Sequence, residues 1–190
     1  MAESTRRRVL GVATGVIAGI GATLAAIPFF RSLGPQQHQE PSYGEVGIGK
    51  LLPGDMTIIQ FEGRVYYVVR RTEAQIRILE KENDKLLDGG SNSSEQPAYA
   101  KNLYRSRNPQ LFVVEGRCTH SGCAPAYRPQ AEPTAFDPDW QGGFYCPCHG
   151  AKFDLAGRVY KGQPAPTNMV IPDHEVIDEN TIRLFQSDAI

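Results

Sequence analysis

Several features are scarce in this sequence, and each scarcity excludes something. A basic excess is missing: 20 lysines and arginines stand against 21 aspartates and glutamates, for a net charge of −1. Without a cationic surplus there is no electrostatic footprint for nucleic acid, so no nucleic-acid partner is expected. Cysteine is limited to four residues, and none of them stand as the C-x-x-C pairs on which zinc ribbons rely. Tryptophan occurs once, at Trp140, and is read as local packing. No internal repeat is visible.

Charge is absent altogether from residues 9–30, "VLGVATGVIAGIGATLAAIPFF". As a helix rising ~1.5 Å per residue, this run reaches roughly the ~30 Å of a bilayer core. Arg6, Arg7 and Arg8 precede it and Arg31 closes it. A cationic flank stays cytoplasmic and sends the rest of the chain across the membrane. Arg6 and Arg7 in "TRRRVL" also read as a twin-arginine export signal, which points to a bacterium. Residues 1–30 are therefore expected to be signal and retained anchor, single-pass in the inner membrane, with a periplasmic head. A cleaved leader is the alternative, but the run is long for one and no A-x-A site follows. Gly11, Gly15 and Gly19 fall every fourth residue, a spacing that lets another membrane helix approach closely. "GIGATL" lies inside the apolar run with no strand before it, so it is not a dinucleotide loop.

Residues 31–44, polar and rich in proline and glycine, read as a flexible hinge holding a solvated His38. The head, residues 45–190, opens with strands at "EVGIGKL" and "MTIIQF" and a hairpin into "VYYVVRRT". Residues 73–87 have helical spacing, with Thr72 as N-cap. "NPQLFVVEGR" returns to strand. "CAPAYRPQAEPTAFDPDWQGG" reads as an irregular insertion, "AKFDLAGRVY" as strand, turn, strand, and "HEVIDENTIRLF" as a closing hairpin. His174, at the start of that hairpin, reads as a surface residue. Asn92-Ser-Ser would accept a glycan only in a eukaryotic secretory route. With many short strands and little helix, the fold class is mainly β: one transmembrane helix followed by an antiparallel β head.

The four cysteines and two of the histidines are gathered in two short boxes, "CTHSGC" at 118–123 and "CPCHG" at 146–150. Four ligands suffice for a tetrahedral zinc or a two-iron cluster. Six candidates are present: Cys118, His120, Cys123, Cys146, Cys148 and His149. Zinc and a pair of plain disulfides remain open on the residues alone.

Together the boxes resemble those of the Rieske iron–sulfur proteins. That resemblance implies one [2Fe-2S] cluster, with Cys118 and Cys146 on one iron, His120 and His149 on the other, and a disulfide between Cys123 and Cys148. A cluster-binding sub-domain of about 112–166 would be inserted in the β head. The anchor, the hinge, "NLYRSRNPQLFVVEG" and "KFDLAGRVYKGQPAPTNMVIP" further resemble the iron–sulfur subunit of ubiquinol–cytochrome c reductase, the cytochrome bc complex. This implies one-electron transfer from quinol to a c-type cytochrome, contributing to proton translocation, with His149 as quinol contact and proton acceptor. Cytochrome b and cytochrome c1-type subunits would be the partners, in a dimeric complex. The family's proline loop over the cluster is matched by Gly162 to Pro166, carrying Pro164 and Pro166, with Gln163 inserted. Where the family usually has serine and tyrosine hydroxyls near the sulfurs, this chain has Ala151 and Phe153, which implies a lowered potential. Ser121 stands where the family often has leucine. The Rieske subunit of a periplasmic oxidoreductase such as arsenite oxidase would share the boxes and export signal. A soluble Rieske ferredoxin or oxygenase component would lack the anchor and the extra cysteines.

Overall fold

In a computed structural model, the described residues are 2–32 and 43–185. They divide between two compact units, Met1–Glu40 and Pro41–Ile190. The first is one helix, α1 (Ala2–Ser32). Its stretch Glu3–Phe30 is long and apolar enough to cross a membrane and buries nothing within the chain. Val9, Ile17, Phe29 and Phe30 are each more than 60% exposed, a distribution suited to lipid rather than water. Pro28 falls inside α1, one turn from its C-terminal end, and leaves the Leu24 carbonyl without the N–H it would otherwise accept from. The expected 31–44 hinge meets regular structure at both ends, because α1 includes Arg31 and Ser32, and the first strand opens at Tyr43. Residues 33–42, His38 included, lie outside the described residues.

The second unit has three antiparallel sheets of three strands each among its described residues. The first joins β1 (Tyr43–Gly47), β9 (Thr181–Phe185) and β8 (His174–Asp178), in that order. The second runs β2 (Met56–Phe61), β3 (Arg64–Arg70), β4 (Leu111–Glu115), and the third β5 (Ala126–Arg128), β6 (Gly143–Tyr145), β7 (Lys152–Phe153). Glu62 and Gly63 close the β2–β3 hairpin, both with positive φ (49° and 71°). That pairing gives the two-residue turn whose twist matches the strands it joins.

Strand alternation makes the second sheet the central layer. Tyr67, Val69, Phe112 and Val114 share a core with Phe144 and Phe153 of the third sheet. Tyr66, Val68, Leu111 and Val113 pack instead with Ile182 and Leu184 of the first. Successive side chains on β3 and β4 thus point to opposite cores, as a pleated strand requires. Each large apolar side chain so buried contributes on the order of 1.5–3 kcal/mol.

Helix α2 (Glu73–Lys81) begins with a capping box: Thr72 accepts from the Gln75 N–H and the Gln75 side chain accepts from the Thr72 N–H. The helix expected through residue 87 ends six residues earlier. Glu82 turns inward to accept from the Tyr160 hydroxyl at 2.6 Å, and Leu86 bridges to Tyr160, so the chain is drawn off the helical path. The insertion read as irregular carries β5, because Tyr127 packs against Phe144 with ring centroids 5.3 Å apart. His174 is buried, not superficial. The Tyr99 hydroxyl accepts from its backbone N–H at 3.1 Å and lies 3.0 Å from its Nδ1, which gives the polar groups partners. Trp140 is local packing, its indole donating to the Arg128 carbonyl at 3.1 Å.

Candidate metal centre

The pairing of β5 with β6 brings the two boxes together. Ala126 lies opposite Tyr145, so the loop that ends at Cys123 and the loop that begins at Cys146 emerge side by side. Both loops are built alike. The Cys118 N–H donates to the Cys123 carbonyl at 2.8 Å, and the Gly122 N–H donates back to Cys118 at 2.9 Å. In the second loop the Cys146 N–H donates to Ala151 at 2.8 Å and the Gly150 N–H to Cys146 at 3.0 Å. The returning residue is in each case a glycine with positive φ, 80° at Gly122 and 77° at Gly150. A side chain there would be strained.

A disulfide joins Cys123 to Cys148 across the loops, with Cα atoms 6.7 Å apart. The bridge implied by the family resemblance is therefore present. Cys118 and Cys146 are free and buried. The sulfurs of Cys123, Cys146 and Cys148 lie within 4.8 Å of one another, but two of them are spent in the bridge, so this trio is not a ligand set. His120 and His149 are exposed. Their rings meet edge to face, with centroids 4.7 Å apart and planes at 88°. Two buried thiols and two exposed, adjacent imidazoles thus share one site. This donor set fits a two-iron cluster whose sulfur-bound end is dry and whose nitrogen-bound end faces solvent.

The Cys118 thiol pKa is pushed up, first by burial. The His120 backbone N–H opposes this by hydrogen bonding to the sulfur, while contact with the Cys146 thiol pushes it up further. A thiol kept protonated by its surroundings ionises when a metal cation takes the proton's place.

Ala151 and Phe153 are fully buried, in the same apolar core as Cys118 and Cys146. Ser121 is exposed, its hydroxyl 3.8 Å from the Cys123 sulfur. Pro164 and Pro166 are exposed on either side of buried Ala165. Their loop is pinned to the first box and to β7, just beyond the second. The Thr119 hydroxyl donates to the Thr167 carbonyl at 2.7 Å, and Gln163 Oε1 accepts from the Lys152 N–H at 3.1 Å. Gln163 was visible in the sequence only as an inserted residue; the structure gives it this fastening role. The exit of the second loop is held by Arg158, buried, which pairs with Asp154 at 2.7 Å and caps the Leu79 carbonyl at 3.0 Å. Arg6 and Arg7 lie exposed on α1. Sequence reasoning also missed Glu115, Arg64 and Arg117, which line an open cleft of about 660 Å³ beside His120.

The family model for the Rieske [2Fe-2S] domain matches residues 95–175. A second, described as the TAT signal of the ubiquinol–cytochrome c reductase Fe-S subunit, matches residues 1–36. The ubiquinol–cytochrome c reductase iron–sulfur subunit of Allochromatium vinosum is 44% identical over 179 residues, covering 93% of this chain and 86% of the relative. The protein of the same name from Blastochloris viridis is 31% identical over 185 residues, 96% of this chain and 94% of that one. Among solved structures, a chain of a hyperthermophilic respiratory Complex III matches at 20% identity with a TM-score of 0.45, covering 90% of this chain and 94% of that one.

Proposed function

The chain belongs to the family of ubiquinol–cytochrome c reductase iron–sulfur subunits, and from that premise we propose that Cys118 and Cys146 hold one iron of its [2Fe-2S] cluster and His120 and His149 the other. As a member of that family it is the Rieske electron-transfer subunit of a cytochrome bc complex, an oxidoreductase, anchored by its N-terminal helix. The observation that carries the ligand assignment is the juxtaposition of two free, buried cysteines with two facing, exposed histidines, the remaining cysteines being joined to each other.

When bound, the cluster supplies one-electron chemistry at a potential raised by the replacement of two thiolates with neutral imidazoles. The side chains divide the remaining work. Cys118 and Cys146, buried in the apolar core, keep their end dry. His120 and His149 present their rings to solvent, and each imidazole has two nitrogens, so one is free to hold or release a proton when the other is bound. His149 lies on the exposed tip beside Pro147 and Cys148, where its ring can accept a hydrogen bond from a quinol hydroxyl. Proton and electron then leave the quinol through one surface. The disulfide and the pinned proline loop hold the two boxes in register while that surface docks.

The partners in this reading are cytochrome b and cytochrome c1-type subunits in a dimeric complex. Residues 31–44, by composition a hinge, give the head its reach between them. Arg6, Arg7 and Arg8 before the span favour a periplasmic head. Electron–nuclear double resonance on the reduced full-length protein, labelled with nitrogen-15 histidine, tests the ligand set. Two strongly coupled histidine nitrogens are expected, with one lost in His120→Cys and one in His149→Cys. Coupling to no histidine, or a spectrum unchanged by both substitutions, contradicts it.

A further inference from the structure

We propose that Glu115, together with Arg64 and Arg117, forms a charge group that tunes the reduction potential of the cluster through the wall of the first box. The inference rests on the ligand assignment above. Glu115 ends β4, three residues before Cys118, and is only 5% exposed. Its backbone is fixed, the N–H donating to Val170 at 2.9 Å and the carbonyl accepting from Arg117 at 2.8 Å. Its carboxylate is held loosely. Oε2 lies 3.7 Å from Arg64 Nη1 and Oε1 lies 3.8 Å from Arg117 Nη1. Both are ion-pair separations and too long for hydrogen bonds, and Oε1 has no hydrogen-bond partner among the described residues.

The charges are unequally placed. The Glu115 side chain is 6% exposed, against 38% for Arg64 and 66% for Arg117. The negative charge therefore sits on the dry side of the cleft and the positive charges on the wet side. All three line the cleft that Cys118, Thr119, His120 and Ser121 also line. A buried carboxylate oxygen without a hydrogen bond costs the fold stability. A charge kept at that cost beside a redox site is a candidate for a role in the site.

The sign follows from electrostatics. Reduction adds one negative charge to the cluster. Glu115 opposes that charge with little screening, because it is buried. Arg64 and Arg117 favour it, but solvent and salt screen them. Each charge should therefore move the potential in its own direction, and only the arginine contributions should fade as salt is added.

The test is a redox titration, followed by electron paramagnetic resonance, of the full-length cluster-loaded protein. It compares the unaltered protein with Glu115→Gln, Arg117→Gln and Arg117→Lys at low and high salt. Glu115→Gln is expected to raise the reduction equilibrium constant about tenfold, ~59 mV for one electron, at both salt concentrations. Arg117→Gln is expected to lower it by less, with the difference shrinking at high salt, and Arg117→Lys to leave it in place. A purely structural role would shift the variants without regard to the sign of the charge removed, or not at all; either result overturns the inference. If the unaltered protein shows no Rieske spectrum, the ligand assignment falls. If the spectrum is present and Glu115→Gln titrates like the unaltered protein, this inference alone falls.

Discussion

Ala151 and Phe153 are buried completely, in contact with the core that encloses the two free cysteines. Neither side chain has a hydrogen to donate to sulfur. Backbone N–H groups of His120 and Ser121 are instead directed at the Cys118 sulfur, where they oppose the rise of its pKa. Donors to cluster and ligand sulfur stabilise the reduced state by spreading its added charge. Restoring hydroxyls should therefore raise the potential. Ala151→Ser and Phe153→Tyr are each expected to move the midpoint upward, and the double variant further than either. A redox titration reads this directly; variants that titrate at or below the unaltered protein would show that these positions do not address sulfur. Ser121, by contrast, sits at the solvent side, its hydroxyl near the disulfide sulfur of Cys123.

Elements carry a second consequence, at the join between the closing hairpin and the core. His174 opens β8 and is buried against Tyr99, the rings meeting edge to face with centroids 5.5 Å apart. Its Nδ1 lies 2.9 Å from the Pro172 carbonyl; a carbonyl only accepts, so Nδ1 carries the proton in the neutral ring. Burial pushes the His174 pKa below 6.5, and the Arg107 guanidinium over Tyr99 adds to the lowering, although the Pro172 hydrogen bond and Asp173 oppose it. The unfolded chain takes up the proton first as pH falls, so this contribution to stability is present above pH 6.5 and is lost as pH drops through that value toward the folded pKa. Denaturant unfolding between about pH 5 and pH 8 should show the loss, and His174→Gln should flatten it. Tyr99→Phe, which leaves buried polar groups of His174 short of a partner, should cost about 1–3 kcal/mol at the upper end of that range.

These elements also show what could be read in advance. The β2–β3 hairpin, the Thr72 cap and the β8–β9 hairpin were legible because local chemistry dictates them: alternation, a capping side chain, a turn dipeptide. The two boxes were legible as a group because few residue types bind iron and all of them cluster. The end of α2, strand β5 and the burial of His174 were not legible, because each depends on a partner far along the chain: Tyr160 for Glu82, Phe144 for Tyr127, Tyr99 for His174. Glu115 was hidden for the same reason. In the sequence it is one acidic residue at a strand end, and only the fold sets it between two arginines beside the first box.

At the scale of the whole molecule, one apolar helix and one β head divide the labour of an anchored electron carrier. The helix gives lipid a face of exposed apolar side chains. The head buries Cys118 and Cys146 in the core shared by its second and third sheets and leaves His120 and His149 at the surface. In the proposed cycle the exposed imidazoles meet a quinol bound by a partner subunit, and the account depends on that meeting. The measurement that tests it most directly is low-temperature electron paramagnetic resonance of ascorbate-reduced native membranes, with and without an inhibitor of the quinol-oxidising site. The account predicts a Rieske signal whose shape changes when the inhibitor occupies the site, because the histidine face is then in contact with it. A Rieske signal indifferent to the inhibitor would contradict the docking of that face in a quinol pocket.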